Sequence, residues 1–498
     1  MNVNPITRLD YPDPDVIRVE DTYYMVSTTM HFMPGCEILQ SFDLVHWEHV
    51  TYVYETLDHT DAQQLKSGQN IYGQGMWAAS LRYHEGRFYI CFVANDTRKT
   101  YLYTSEKIDG PWKKQLIEGF YHDGSLLFDE DGRSYIVYGN DEIWITELNE
   151  DLTAPKKDGL HRLLVSDHKN PELGYEGSHI QKINGYYYIF LVHSLRDRWM
   201  RTEACFYSDS LEGEFTGGDV LCDDRGYCGQ GVAQGGIVDT PDGKWYAMLF
   251  QDSGAVGRIP ILLPVTWKDH FPIFGQNGHV PEEIEVHSTR PGYIYQPLVG
   301  SDDFCNGLLP RWQFNHDPDP RYYHLDALQG TYTITTREVC TELTQAVNTL
   351  TQRMSYPSCA AEVTVDASAL KEGDVAGLCA LQGCYAAVGI TKHHGKYEVL
   401  MLDKKEDGIL DMTERTVVES HQMDFRLEAD FCNMKDEARC YYRVNKGDWL
   451  PIGTVHKLYF KLDHFTGCRF GLFCYAAEET GGSACFRDFK YYDVDEIS

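Results

Sequence analysis

The chain has 498 residues, more than one hydrophobic core usually serves, so at least two domains are expected. A formal net charge of -31 opposes both nucleic acid and anionic membrane surfaces, and no stretch approaches the length of a transmembrane helix. Aromatic residues, led by tyrosine, make up 13% of the chain, which suits β-rich architecture and surfaces that meet flat polar ligands, so a neutral small ligand is expected.

Residues 1–9 lack a basic head followed by an apolar run, so no secretory signal is read there and a cytoplasmic location is expected. The fifteen cysteines show neither CxxC pairs nor zinc-finger spacing, the pattern of reduced thiols. Cys222 and Cys228 stand close in sequence and read as two ordinary thiols.

Up to about residue 280 the chain consists of short β-prone segments separated by turn clusters such as Asp131-Gly132, Asn184-Gly185 and Asp242-Gly243. One phrase, a turn followed by an aromatic strand, recurs as Asp21-Thr-Tyr-Tyr24, Gly86-Arg-Phe-Tyr89, Gly132-Arg-Ser-Tyr135, Gly185-Tyr-Tyr-Tyr188 and Gly243-Lys-Trp-Tyr246. Counting back eight residues from Asp21 gives Asp13, and counting back nine from each later glycine gives Trp77, Asp123, Glu176 and Gln234. Several units close with a related phrase, as in Ser41-Phe-Asp-Leu-Val-His-Trp47 and Ser105-Glu-Lys-Ile-Asp-Gly-Pro-Trp112. Repeats of this length with several strands each mark a β-propeller, here of five blades. Residues of equal phase then converge at one mouth of the central channel. A preference of Asp for turns explains Asp123 before Gly124 taken alone, but not the shared register.

Between roughly His279 and Asp302 the repeat stops, through Pro281-Glu-Glu and Thr289-Arg-Pro-Gly-Tyr, and a linker is expected. Further short strands follow, including 330–335, 361–365, 397–401 and 471–475, enough for one β-sandwich of jelly-roll or concanavalin-like type. The expected organisation is all-β, with a propeller over 1–297 and a sandwich over 298–498. Asp302-Asp303-Phe304 and Arg487-Asp488-Phe489, near the sandwich's two ends, are placed to pair as neighbouring strands. Their carboxylates read as surface acidity rather than a calcium site.

Two carboxylates facing across a pocket are the minimum equipment for glycoside hydrolysis, one protonated to serve the leaving oxygen and one ionised to activate water. A third beside the acid raises its pKa, because adjacent negative charges resist coexisting. Asp13 lies in Tyr11-Pro-Asp-Pro-Asp15, where two prolines stiffen the backbone and give a base the rigid support it needs.

With these segments in hand the chain resembles glycoside hydrolase family 43, the five-bladed propeller enzymes that include β-xylosidases and α-L-arabinofuranosidases. The likeness is carried by Asn4-Pro-Ile, Tyr11-Pro-Asp-Pro-Asp15, Pro34-Gly35, Ser41-Phe-Asp-Leu-Val-His-Trp47, Trp77-Ala, Asp123-Gly-Ser-Leu-Leu-Phe-Asp-Glu-Asp-Gly132 and Glu176-Gly-Ser-His-Ile-Gln-Lys-Ile-Asn-Gly185. It implies Asp13 as general base, Asp123 as pKa modulator and Glu176 as general acid, in an inverting reaction whose two working carboxylates stand roughly 6.5–9.5 Å apart. It also implies Arg258 as a contact to a sugar hydroxyl, Trp77 and Phe32 as apolar walls for the sugar ring, and Met30 and His31 as further lining. Many relatives carry His followed by Gly-Asp in the fifth blade, over a channel-bound calcium. This chain has Gln234-Gly-Gly there, so no cofactor is required, calcium is in doubt, and Gln234 reads as a hydrogen-bonding plug. Asn348-Thr-Leu-Thr-Gln-Arg353 and Gly373-Asp-Val-Ala-Gly-Leu378 resemble the accompanying sandwich, which in relatives narrows the pocket.

The resulting expectation is an exo-acting glycosidase that releases xylose or arabinofuranose from short oligosaccharides. An endo-arabinanase with a mouth open at both sides and a non-catalytic carbohydrate-binding propeller are the alternatives. The sequence is as compatible with a homo-oligomer as with a monomer.

Overall fold

A computed structural model describes residues 3–493. Among the described residues there is no α-helix, only single turns of 3-10 helix between strands. The first half forms five four-stranded antiparallel sheets, each a simple meander. Their innermost strands are Asp15–Val19, Met76–His84, Ser125–Phe128, Glu176–Ile183 and Val232–Asp239, and each blade turns through a tight hairpin into its aromatic second strand. In that turn Gly86, Gly132, Gly185 and Gly243 lie at φ 77–86°, where a glycine costs nothing and most residues are strained.

Each pair of adjacent blades buries its own apolar cluster. Val26, Ile38 and Phe92 fill the first seam, Leu102, Leu126 and Ile136 the second, Ile145, Ile180 and Ile189 the third, Phe190, Ile237 and Leu249 the fourth. The fifth seam closes the ring through Ile6, Tyr11, Tyr23, Met248 and Leu262. There the leading segment runs along blade five: Ile6 N–H donates to Pro260 O at 2.8 Å, and the Asn4 amide both donates to Leu262 O (2.7 Å) and accepts from Leu262 N–H (2.8 Å). This gives Asn4-Pro-Ile a physical purpose, because a buried strand edge must find partners somewhere.

The last propeller strand is Phe271–Phe274 and the sandwich's first is Gln313–Asn315. The expected linker between them is ordered against blade one, with Thr289 N–H donating to Phe42 O and Gln296 N–H to Glu48 Oε2. The sandwich consists of an eight-stranded and a seven-stranded sheet around one large core that includes Trp312, Leu378, Val388, Phe425 and Phe486. Its two ends meet as expected, Asp302 bridging to Phe489, but the Asp302 carboxylate is engaged by Phe304 N–H and Trp312 Nε1.

The two domains interpenetrate. The short strand Phe32–Met33 of blade one is the edge strand of the eight-stranded sandwich sheet, paired with Phe314 and Asn315. Below it Arg353 of the sandwich bonds Glu37 Oε2 at 2.8 Å and donates to Asp10 O at 2.9 Å. Asp10 in turn accepts from Arg258 N–H and from Gly467 N–H, both at 2.8 Å, so one carboxylate ties the pocket edge of blade five to a sandwich loop.

Candidate active site

The propeller's channel mouth opens into a pocket of about 570 Å³. Asp13, Trp77, Asp123, Glu176 and Gln234 all line it, one from each blade. The backbone explains how equal phase becomes a shared aim. Asp13, Asp123 and Gln234 have φ of 53°, 48° and 63°, a left-handed kink that turns the chain at the mouth. In blades two, four and five the innermost strand is bulged at this point, between Met76 and Ala79, Glu176 and His179, and Ala233 and Gly236. A bulge re-aims a side chain out of the sheet's alternation. Gly177, at φ 64°, leaves room for the Gln234 side chain, which an added Cβ would meet at 2.7 Å.

Asp13 is buried and doubly held. The Thr28 hydroxyl donates to Oδ2 at 2.6 Å and Arg258 Nη1 to Oδ1 at 3.1 Å, while Pro12 O accepts from Ser27 Oγ at 2.7 Å. Arg258 is itself only 2% exposed, so it belongs to the site rather than the surface, and its Nε and Nη2 make no protein hydrogen bond. Asp123 accepts from Gly177 N–H at 2.9 Å, and its carbonyl accepts from Ser178 Oγ at 2.6 Å, coupling blades three and four. Burial, with the charges of Glu176 and Asp13 outweighing the relief from His122, pushes the Asp123 carboxyl up to about 6. Glu176 accepts from the Asn140 amide at 2.8 Å.

Several pocket residues carry no mark in the repeat. His122 Nε2 lies 3.5 Å from both Asp123 Oδ2 and Glu176 Oε2. Burial lowers its basicity, but the carboxylates of Asp123, Glu176 and Asp13 win and raise it to about 9. Asn140 and Arg201, the latter bonded to Asp252 at 2.8 Å, are also part of the wall. His122 is legible in hindsight as the neighbour of Asp123, whereas Asn140 and Arg201 sit at strand positions that no shared phase singles out. The sandwich supplies Phe460, Lys461, Leu462 and Phe465, with Phe465 5.8 Å from the Trp77 ring and 4.3 Å from the Arg258 guanidinium. Trp199 stands at the rim, 44% exposed.

The expectations for Phe32 and His31 are corrected. Phe32 does not line the pocket: it is fully buried between the domains in the sandwich-edge strand, with the Arg469 guanidinium 3.4 Å from its ring. His31 follows it into that interface, against His316 and His464, and only Met30 of the three reaches the pocket. Gln234 is at the mouth, but its surroundings do not suit calcium, which takes many hard oxygen donors. Gln234 N–H donates to Glu203 Oε2 at 2.7 Å, and burial pushes the Glu203 carboxyl well above the usual range. The nearby Asp15 carboxylate, reaching from blade one toward blades two and four, is already satisfied by Arg82 at 2.8 Å and His179 at 3.0 Å.

The sequence pattern of glycosyl hydrolases family 43 matches residues 3–272, and that of the β-xylosidase C-terminal concanavalin A-like domain matches residues 301–492. The chain belongs to glycosyl hydrolase family 43. Among its relatives, a β-xylosidase of Formosa agariphila is 27% identical, the match covering 99% of this chain and 89% of that one. A xylosidase/arabinosidase of Humicola insolens is 25% identical over 98% of this chain and 96% of its own. A solved structure described as a bifunctional GH43-CE protein of Bacteroides eggerthii superposes with a TM-score of 0.92 at 42% identity over 98% of this chain. The chain spans 63% of that protein's length.

Proposed function

We propose that this family 43 chain is an exo-acting, inverting glycosidase that releases terminal xylose or arabinofuranose from short xylo- or arabino-oligosaccharides. The observation that carries the reading is the convergence of Asp13, Asp123 and Glu176 on one pocket that the sandwich residues Phe460 and Phe465 close on one side. The relatives' names, β-xylosidase and xylosidase/arabinosidase, point the same way. A pocket so closed admits a chain end and obstructs a continuous polymer, which argues against an endo-arabinanase. A binding protein would gain nothing from three buried or half-buried carboxylates whose repulsion costs stability.

In this reading Asp13 is the base. Thr28 and Arg258 fix its orientation, so that it draws the proton from a water aimed at the anomeric carbon. Glu176 is the acid, giving its proton to the departing glycosidic oxygen while Asn140 holds the carboxyl in place. Asp123, beside it, positions the acid's strand through Gly177 and Ser178. Arg258 keeps two donor groups for a sugar hydroxyl, and Trp77 with Phe465 offers the apolar faces on which a pentose ring rests. The fifteen cysteines are all unpaired, which fits work in a reducing compartment such as the cytoplasm.

The test is a comparison of nitrophenyl β-D-xyloside, nitrophenyl α-L-arabinofuranoside and dye-linked arabinan. Release of pentose from at least one aryl pentoside, with no soluble dye from the polymer, is expected. Dye release without aryl pentoside turnover would reverse the exo assignment.

A further inference from the structure

His122 is an odd neighbour for a general acid. It sets an imidazole nitrogen, sealed from solvent and without a hydrogen bond of its own, against two carboxylates. The donor atoms of His122, Asp123 and Glu176 all lie within 4.8 Å of one another, and among the described residues no other set of three His, Cys, Asp or Glu side chains does so. Two of the separations, His122 Nε2 to Asp123 Oδ2 and to Glu176 Oε2, are 3.5 Å. A tetrahedral Zn²⁺ bound at about 2.0–2.2 Å by nitrogen and oxygen requires its ligands roughly 3.3–3.6 Å apart.

The surroundings complete the resemblance to a metal site. The Asn140 amide and the Gly177 N–H each donate to one of the two carboxylates, leaving further lone pairs free and holding both groups in place, as outer-sphere bonds do around bound metals. The Trp77 ring meets the imidazole edge-on at 5.7 Å and limits its rotation. Among the described residues no Lys or Arg bonds either carboxylate, whose cationic neighbour is His122 itself, so a bound ion replaces the imidazole proton; the pocket's arginines are committed elsewhere, Arg258 to Asp13 and Arg201 to Asp252. All three side chains line the pocket, where a water can supply a fourth ligand. An imidazole with only three protein ligands favours a borderline ion such as Zn²⁺ over Ca²⁺ or Mg²⁺, which prefer six or more oxygens.

We propose that His122, Asp123 and Glu176 form a reversible Zn²⁺ site that switches the enzyme off. The ion takes the lone pairs of Glu176 that must carry the catalytic proton, so an occupied site has no general acid. Binding itself is independent of the glycosidase reading, while the inhibition rests on it.

The experiment is calorimetric titration of the EDTA-treated, desalted full chain with Zn²⁺ at pH 8, beside an Mg²⁺ arm and the variants His122→Asn and Glu176→Gln. The exposed thiols Cys222, Cys228, Cys305 and Cys432 also attract zinc, so the readout is the difference between wild type and variants. Wild type is expected to bind one more Zn²⁺ per chain than either variant. Outer-sphere changes alone weaken metal sites roughly 10–100-fold, so loss of a ligand should weaken this one by at least about 100-fold. Aryl pentoside hydrolysis should fall in step with occupancy of that site and return on adding EDTA. Equal zinc uptake by wild type and both variants, or equal uptake of Mg²⁺, would overturn the site. If His122→Asn does not fold, Glu176→Gln carries the comparison. A metal-free wild type that hydrolyses no pentoside but binds the extra zinc would sink the glycosidase reading and leave the site standing.

Discussion

The two carboxylates proposed as base and acid occupy chemically distinct settings, and this makes their proposed roles separable by mutation. Asp13 receives a hydroxyl and a guanidinium, whereas Glu176 receives one neutral amide and stands beside the crowded carboxyl of Asp123 and the His122 imidazole, 3.5 Å away. Removing a general acid costs roughly 10²–10⁴-fold, and the loss shrinks when the leaving group needs little protonation. Glu176→Ala is therefore expected to lose most activity on oligosaccharides and to regain much of it on dinitrophenyl pentosides, while Asp13→Ala stays inactive on both. Steady-state rates on the two substrate types decide it; equal losses for both variants on both types would remove the acid and base assignments. The phase of the repeat was enough to place these residues at one pocket because a propeller repeats its backbone, and with it the aim of one side chain per blade. It could not find His122 or Asn140, which act through contact with Asp123 and Glu176 and have no counterpart of equal phase. Phe32 misled for a related reason: an aromatic two residues from the pocket-lining Met30 looks the same in sequence whether it faces sugar or the neighbouring domain.

At the scale of elements, strands and turns were readable because hairpin glycines and aromatic alternation are local signals. The pairing of Phe32–Met33 with Gln313–Asn315 was not, since nothing near either segment announces a partner so far along the chain. The same holds for the sandwich loop that brings Phe460 and Phe465 to the pocket, docked where Leu462 O would meet any side chain added at Gly73. Trimming that wall should weaken substrate binding more than chemistry. Phe465→Ala is expected to raise KM by about 10-fold, the worth of roughly 1.4 kcal/mol of lost apolar contact, with a smaller change in kcat. A kcat that collapses at unchanged KM would mean the ring supports the acid and base instead of the sugar.

At the scale of the whole molecule, the propeller and sandwich form one unit joined through Arg353, Glu37 and Asp10. Breaking a buried ion pair by removing one partner costs about 3–5 kcal/mol, so Arg353→Ala should lower the unfolding free energy by up to that order, leaving Glu37 with His49 alone as a basic partner. Denaturant melts followed by tryptophan fluorescence measure it, and a change under about 1 kcal/mol would show the interface to be held by apolar packing alone. The same charges set the acid sensitivity. Glu37 is held down to about 2 against its burial by Arg353 and His49, and Asp15 to about 2 against its burial by Arg82 and His179. Both pKa values are depressed on folding, so both groups add stability above the ordinary carboxylate range, and that stability is lost as the pH falls from about 4.5 toward 2. Thermal melts across this window should show a steep fall in wild type and a shallower one in a Glu37→Gln variant; parallel curves would exclude Glu37 as a source of the acid loss.

Stereochemistry joins all three scales, because the proposed base from blade one and acid from blade four, acting by direct displacement, deliver water to the face opposite the leaving group. Proton NMR of the first product released from a β-D-xyloside, recorded before mutarotation, distinguishes the outcomes. Initial appearance of α-xylose is expected from direct displacement by water activated at Asp13. Initial appearance of β-xylose would require a covalent glycosyl intermediate and would contradict the roles given to Asp13 and Glu176.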